Sequence, residues 1–243
     1  MQKIWTIAKK ELRSFFDSLM AYVMLVLFLG FTGFFTWMPS GQDIFLINQA
    51  TMQPFFGIAY WTLFFFVPLL TMRGIAEEKR SGTLELLLTK PVTDWQFVTG
   101  KFLSTLMLIG IALLLTIPYY ITISRLGPID HGAVIAGYTG LLLMSSAYIG
   151  IGIFASSVSR NQIVAVLLAL LIGIFFHIIF DILARGVSGI TGEVLHYLSI
   201  STHFESLSRG VIDTKDLIYF LSITFLGLLG SVSILSKRSL SDA

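Results

Sequence analysis

Arg73-Gly74-Ile75-Ala76-Glu77-Glu78-Lys79-Arg80-Ser81-Gly82-Thr83-Leu84-Glu85-Leu86-Leu87-Leu88-Thr89-Lys90-Pro91 is a charged island in an apolar chain. The runs on either side of it, Phe55 to Met72 and Phe102 to Ser124, are each long enough to cross a bilayer. The hydrocarbon core is about 30 Å thick, and a helix rising about 1.5 Å per residue needs roughly 20 mostly apolar residues to span it. A water-seeking stretch between two such runs belongs outside the membrane. Four more runs qualify farther out, at Leu19 to Trp37, Val134 to Ser156, Ile163 to Ile182 and Leu217 to Leu235.

Composition agrees: 55% of residues are hydrophobic, 12% are charged and the mean hydropathy is +0.84. That is too apolar for a soluble domain of 243 residues. Backbone in lipid must satisfy its own hydrogen bonds, and the runs lack strand alternation, so the spans are helices. The expected fold is all-α: a polytopic membrane protein with six transmembrane helices, one transmembrane domain over residues 1–243. The absence of cysteine excludes disulfides and thiolate metal sites.

The basic residues define two sides. Lys3, Lys9, Lys10, Arg13, Arg73, Lys79, Arg80, Lys90, Lys101, Arg160, Lys237 and Arg238 share one side, twelve of the 16 Lys and Arg, whereas Arg125, Arg185, Arg209 and Lys215 occupy the other. By the positive-inside rule the first side is cytosolic, and so are both termini. The net charge of +2 therefore marks sidedness and is no nucleic-acid signal. The first span follows a basic segment as a signal peptide would, but its apolar core is too long and lacks a small-residue cleavage site, so it reads as an uncleaved anchor.

Residues 1–17 form an interfacial amphipathic helix. At 100° per residue Ile4, Ile7, Ala8, Leu12, Phe15 and Phe16 share one face, and Lys3, Lys9, Lys10, Arg13 and Asp17 the other. Glu11 breaks the apolar face, so it either snorkels at the edge or meets a cation from another subunit. Within the loop at 73–101, Ser81-Gly82-Thr83 offers a turn and a capping hydroxyl. Leu84 to Leu88 make about one helical turn, Pro91 ends it, and Thr93 or Asp94 caps the next helix. The exposed leucines either dock a partner or fold back on the bilayer and the protein's own helices.

The pattern Glu77-Glu78-Lys79-Arg80-x-Gly82-Thr83-x-Glu85-x-Leu87-Leu88, with Pro91 and Gly100-Lys101 after it, resembles the signature loop of ABC-2 type transporter permeases. The resemblance covers nearly the whole chain. It implies that this loop is a coupling helix seated in a cleft of a separate ATP-binding subunit, through Glu77, Glu78, Arg80, Gly82, Thr83, Leu84, Glu85, Leu87 and Pro91. It also implies two ATPase copies beneath two permease subunits, a second copy or a related membrane subunit, in a bacterial inner membrane. The stretch Ser201 to Asp213, with Asp216 and Tyr219-Phe220, resembles the gliding-motility permease subgroup, near the permease of the nitrous-oxide reductase maturation system; an auxiliary envelope protein accompanies such systems. Lipid, polysaccharide, drug or metal-centre maturation remain alternative tasks.

The chain has no phosphate loop, since position 95 is Trp95 where the pattern before Gly100-Lys101 needs glycine. ATP and Mg are therefore expected on the partner, with no cofactor bound here and no enzyme activity of the chain alone. An intramembrane enzyme fails on inventory, lacking His-Glu-x-x-His and Gly-x-Ser-x-Gly. An ATP-independent transporter or scaffold is separated from the main reading by whether a soluble ATPase co-purifies.

His177, Asp181 and Arg185 lie four apart near the outer end of the fifth span, which predicts a ladder serving either as a gate or as an ion pair tying the span to the next loop. Pro118 is expected to kink the third span, and Ser146-x-x-x-Gly150 and Gly152-x-x-x-Ser156 to pack the fourth. The segment 183–216 reads as re-entrant outer helices, with glycines at 186, 189 and 192 and a capping box from Thr202 to Glu205. His203, Phe204, Glu205 and Arg209 join the fifth-span trio as outer gate candidates; a surface lid without gating duty is the other reading.

Overall fold

The computed structural model describes residues 2–38, 49–83 and 92–241. Among these residues the chain is all-helical, with no strand, and six helices are long and apolar enough to cross a membrane. The protein is thus a multi-pass membrane protein. The first span is Leu19–Trp37, the second Gln53–Thr71 and the fourth His131–Val158. The sixth is the helix Thr214–Ser241. The third runs from Asp94 and starts earlier than its apolar run because Thr93 closes a capping box with Gln96.

The fourth span is the hub. Within its most apolar window 78% of residues are buried, against 22% for the fifth span and 28% for the first and sixth. Glycine makes this possible by letting neighbours approach closely. A Cβ at Gly137 would lie 2.3 Å from the Phe56 ring, one at Gly152 2.0 Å from Thr71 Oγ1, and one at Gly227 2.5 Å from the Gly150 carbonyl. Ser146 Oγ lies 3.0 Å from Thr224 Oγ1 beside that contact, so Ser146-x-x-x-Gly150 packs the fourth span against the sixth, whereas Gly152-x-x-x-Ser156 packs it against the end of the second span and the turn after it. The outward faces of the first, fifth and sixth spans expose Val26, Leu167 and Leu226, as a lipid-facing surface requires.

The third span, Asp94–Leu126, is interrupted at Leu115 and Thr116, beside the Pro118 expected to kink it. Helix Asp94–Leu114 stops and a new one, Ile117–Leu126, starts with Pro118 in its first turn, where a missing N–H costs nothing. Thr116 Oγ1 donates to the Leu113 carbonyl at 2.6 Å and lies 2.9 Å from the Tyr138 hydroxyl.

The fifth span departs from its expected periodicity. Helix Gln162–Ile174 passes through a π-helical turn, Phe175–Ile179, before continuing as Phe180–Gly186. The wider turn rotates His177 away from the residues four ahead. Asp181 and Arg185 form the expected pair at 2.7 Å, but His177 is buried among the spans and is not part of a ladder.

Two short helices, Ile190–Leu198 and Ile200–Ser208, follow. The capping box at Thr202 and Glu205 does not form. The second helix begins earlier, with Ser199 at its N-cap, and Glu205 is free to pair with Arg209 one turn on. This helix buries Ile200, His203, Phe204 and Leu207, whereas the first leaves Ile190 and Val194 exposed.

Candidate functional site

Helix Gln2–Asp17 lays its apolar face on the protein's own third span. Gly100 allows this, since a Cβ there would fall 2.6 Å from Ile7 Cγ2. One residue on, Lys101 is 4% exposed. Its ammonium lies 2.8 Å from Glu78 Oε1 and 3.3 Å from Glu11 Oε2, and 4.9 Å from the centroid of the Phe97 ring. Glu11 thus meets a cation of its own chain. A buried ammonium needs such company, because an unpaired one would cost several kcal/mol on the order expected for ions removed from water. One lysine joins the N-terminal helix, the third span and the charged loop.

The loop is held a second time by the fourth span. After Thr71 the chain turns and enters a short helix, Ala76–Ser81, whose own N-cap residue Ile75 offers no side-chain cap. Ser156 caps it from outside: its Oγ accepts from the N–H groups of Ile75 at 3.0 Å and Ala76 at 2.9 Å, and donates to the Met72 carbonyl at 3.1 Å. One hydroxyl thereby uses its donor and both lone pairs on orphan groups of the turn. Lys79 Nζ adds a hydrogen bond to the Ser157 carbonyl.

Of the residues expected to couple, Glu78 is built into this anchor. Glu77, Arg80, Gly82 and Thr83 are exposed around it. Gly82 ends the helix with φ +70°, the left-handed conformation glycine adopts cheaply. Leu84, Glu85, Leu87 and Pro91 lie outside the described residues. The sequence showed Lys101 only as part of a motif and Ser156 only as a small residue. Neither carried a signal for its partners, which lie 80 and 81 residues back along the chain for Ser156 and, for Lys101, 23 residues back at Glu78 and in the N-terminal helix at Glu11.

At the opposite end the gate candidates divide in two. His177, His203 and Phe204 are buried. His177 Nδ1 lies 2.5 Å from the Tyr148 hydroxyl, and its ring stacks on Tyr60, which also stacks on Phe204. His203 Nε2 donates to the Tyr197 carbonyl at 2.8 Å, and its Nδ1 meets Asp216 Oδ1 at 2.6 Å. Asp216 is 1% exposed and opens the sixth span. A carbonyl only accepts, so Nε2 carries a proton, and a further proton lies between Nδ1 and Asp216. Asp181, Arg185 and Glu205 instead share the wall of an open depression of about 460 Å³ with Glu193 and His196. At the start of the sixth span, the backbone N–H and ammonium of Lys215 hold the Asp213 carboxyl below the usual carboxylate range.

Fold and site together define a helical membrane subunit whose charged turn is anchored to its N-terminal helix and to its third and fourth spans, with no phosphate loop in its sequence. The chain belongs to the ABC-2 transporter family: the family model described as ABC-2 family transporter protein matches residues 5–236. Membership makes it a membrane subunit that is not itself the ATPase and implies association with an ATPase subunit. The chain is similar to the probable ABC transporter permease protein NosY of Pseudomonas aeruginosa, 29% identical over 191 residues, 75% of this chain and 70% of that one. A protein of the same name from Stutzerimonas stutzeri is 30% identical over 118 residues, 47% of this chain and 43% of its own length.

Proposed function

We propose that this chain is the permease through which a separate cytosolic ATPase drives transport or mechanical work in a bacterial inner membrane, with the loop at 73–101 as the ATPase's seat. The observation that carries this reading is Lys101 holding Glu78 and Glu11 together. A loop that only linked two spans would gain nothing from a buried three-residue ion cluster. A loop that receives force needs a stiff joint to the membrane helices, and the Glu11-Lys101-Glu78 cluster with the Ser156 cap supplies one.

In this reading both termini are cytosolic, residues 1–243 act as one transmembrane domain, and two ATPase copies carrying ATP and Mg close beneath two membrane subunits. The segment 183–216 closes the outer end, the buried His203–Asp216 pair fixing its second helix to the sixth span. Within the family a NosY-like role is favoured over a gliding-motility one, because both relatives described above carry the NosY name.

The test is Glu85→Arg with Leu87→Asp in the full complex. The chain should still insert in the membrane while ATPase co-purification and ATP-driven turnover fall to background. Full recruitment and turnover in that variant would remove the proposed seat.

A further inference from the structure

Two cavities adjoin where the first two spans meet the N-terminal helix. One, of about 490 Å³, is apolar and runs between the spans, lined by Leu19, Val23, Leu27, Phe66 and Leu69. The other, of about 580 Å³, is polar and lies under the N-terminal helix, with Lys10, Glu11, Glu77, Glu78 and Lys101 on its wall. Ser18, Met20, Leu70 and Arg73 line both, so the two share a border. Each volume falls in the range of ligand sites, roughly 300–1,000 Å³.

We propose that the two cavities together hold one phosphatidylethanolamine-type phospholipid from the leaflet on the side of the N-terminal helix, as a resident ligand. Depth fits one leaflet. From Ser18 to Leu27 the apolar groove follows the first span for roughly 14 Å at about 1.5 Å per residue, close to half of a 30 Å hydrocarbon core. An apolar groove at that depth, bordered at its end by a polar, charged cavity, matches an acyl chain below a headgroup.

The charges select the headgroup. Lys101 is committed to Glu11 and Glu78. Neither Lys10 nor Arg73 forms an ion pair with a described residue, and neither does Glu77. Two cations suit a phosphate, and the carboxylate beside them suits the ammonium of the same headgroup. A purely anionic headgroup would leave Glu77 facing like charge.

The experiment uses the full chain with its ATPase in vesicles of phosphatidylethanolamine and phosphatidylglycerol. A trace of either lipid carries a photoactivatable acyl chain, and adducts are mapped by mass spectrometry. The lipid-facing residues Ile163, Val164, Leu167 and Leu171 of the fifth span, all exposed, serve as the reference for bulk lipid. The ethanolamine probe should label Leu19–Leu27 and Phe66–Arg73 several-fold above the reference and above the glycerol probe. Lys10→Ala with Arg73→Ala should lower that labelling roughly threefold to tenfold, the combined worth of two solvent-exposed charge contacts, with the reference unchanged. Val23→Trp, which fills the apolar part, should lower it as well.

Equal labelling of groove and reference overturns the proposal, as does equal labelling by the two probes. So do crosslinks between two copies of the chain at the groove in place of lipid adducts. Labelling needs no nucleotide, so failure here leaves the seating of the ATPase untouched, and failure of the seat leaves the lipid site untouched.

Discussion

At the scale of single residues, the chain spends its few buried charges on joints. Lys101→Met would leave Glu11 and Glu78 facing each other without a cation, and their side chains are only 22% and 18% exposed. Allowing for that exposure, the variant should lose roughly 2–4 kcal/mol of stability, read by thermal unfolding in detergent. Adding Glu11→Gln and Glu78→Gln should restore most of the loss, since neutral groups carry no desolvated charge. If the triple variant is as unstable as the single one, the ion cluster is not what the lysine supports. Ser156→Ala should cost about 1–3 kcal/mol by orphaning two buried N–H groups, and should expose the turn at 72–81 to faster hydrogen exchange while distant spans stay protected. The misfit of Glu11 on an apolar face was legible in the sequence, which left open whether it snorkels or meets a cation of another subunit; the cation is Lys101 of its own chain. The choice was not legible, because helical spacing relates only residues on one helix, and Lys101 comes to Glu11 by tertiary packing.

At the scale of elements, hydropathy located all six spans because lipid leaves the backbone so few options, but it said little about what each span touches. The fourth and fifth spans are both apolar throughout, yet one is the hub and the other the least buried. The difference lies in glycine placement, which the small-residue spacings Ser146-x-x-x-Gly150 and Gly152-x-x-x-Ser156 partly showed. Gly227→Val tests that packing directly. Its Cβ would meet the backbone of Gly150 at 2.5 Å, which no rotamer change relieves, so a loss of about 3 kcal/mol or more is expected. A stability within about 0.5 kcal/mol of the parent, the range of surface changes, would mean that the fourth and sixth spans do not meet there. The local errors have the same origin. A regular 3.6-residue period put His177 in line with Asp181 and Arg185, and the π turn at Phe175–Ile179 breaks that period. Thr202 had the spacing of a cap, but Ser199 starts the helix first.

At the scale of the whole molecule, the fourth span joins two ends of different character. At one end Ser156 caps the charged turn, and farther along Tyr148 holds His177 and Gly140 receives Leu207 of the short-helix segment. A movement imposed on the turn therefore has a short, packed route to the opposite end, through a helix too buried to bend independently. That route has meaning only if the two ends face different compartments, and the uneven distribution of Lys and Arg is what argues that they do. The chain lacks cysteine, so single introduced cysteines report sidedness without background. Lys9→Cys and Thr83→Cys, both at exposed positions, should react with a membrane-impermeant maleimide only after permeabilisation. Arg125→Cys and Ile190→Cys, the latter at a position 81% exposed, should react in intact cells. The reverse pattern would put the charged turn outside, away from any cytosolic ATPase. A mixed pattern, with Thr83 and Ile190 labelled from the same side, would break the topology itself, because an odd number of spans separates the two positions.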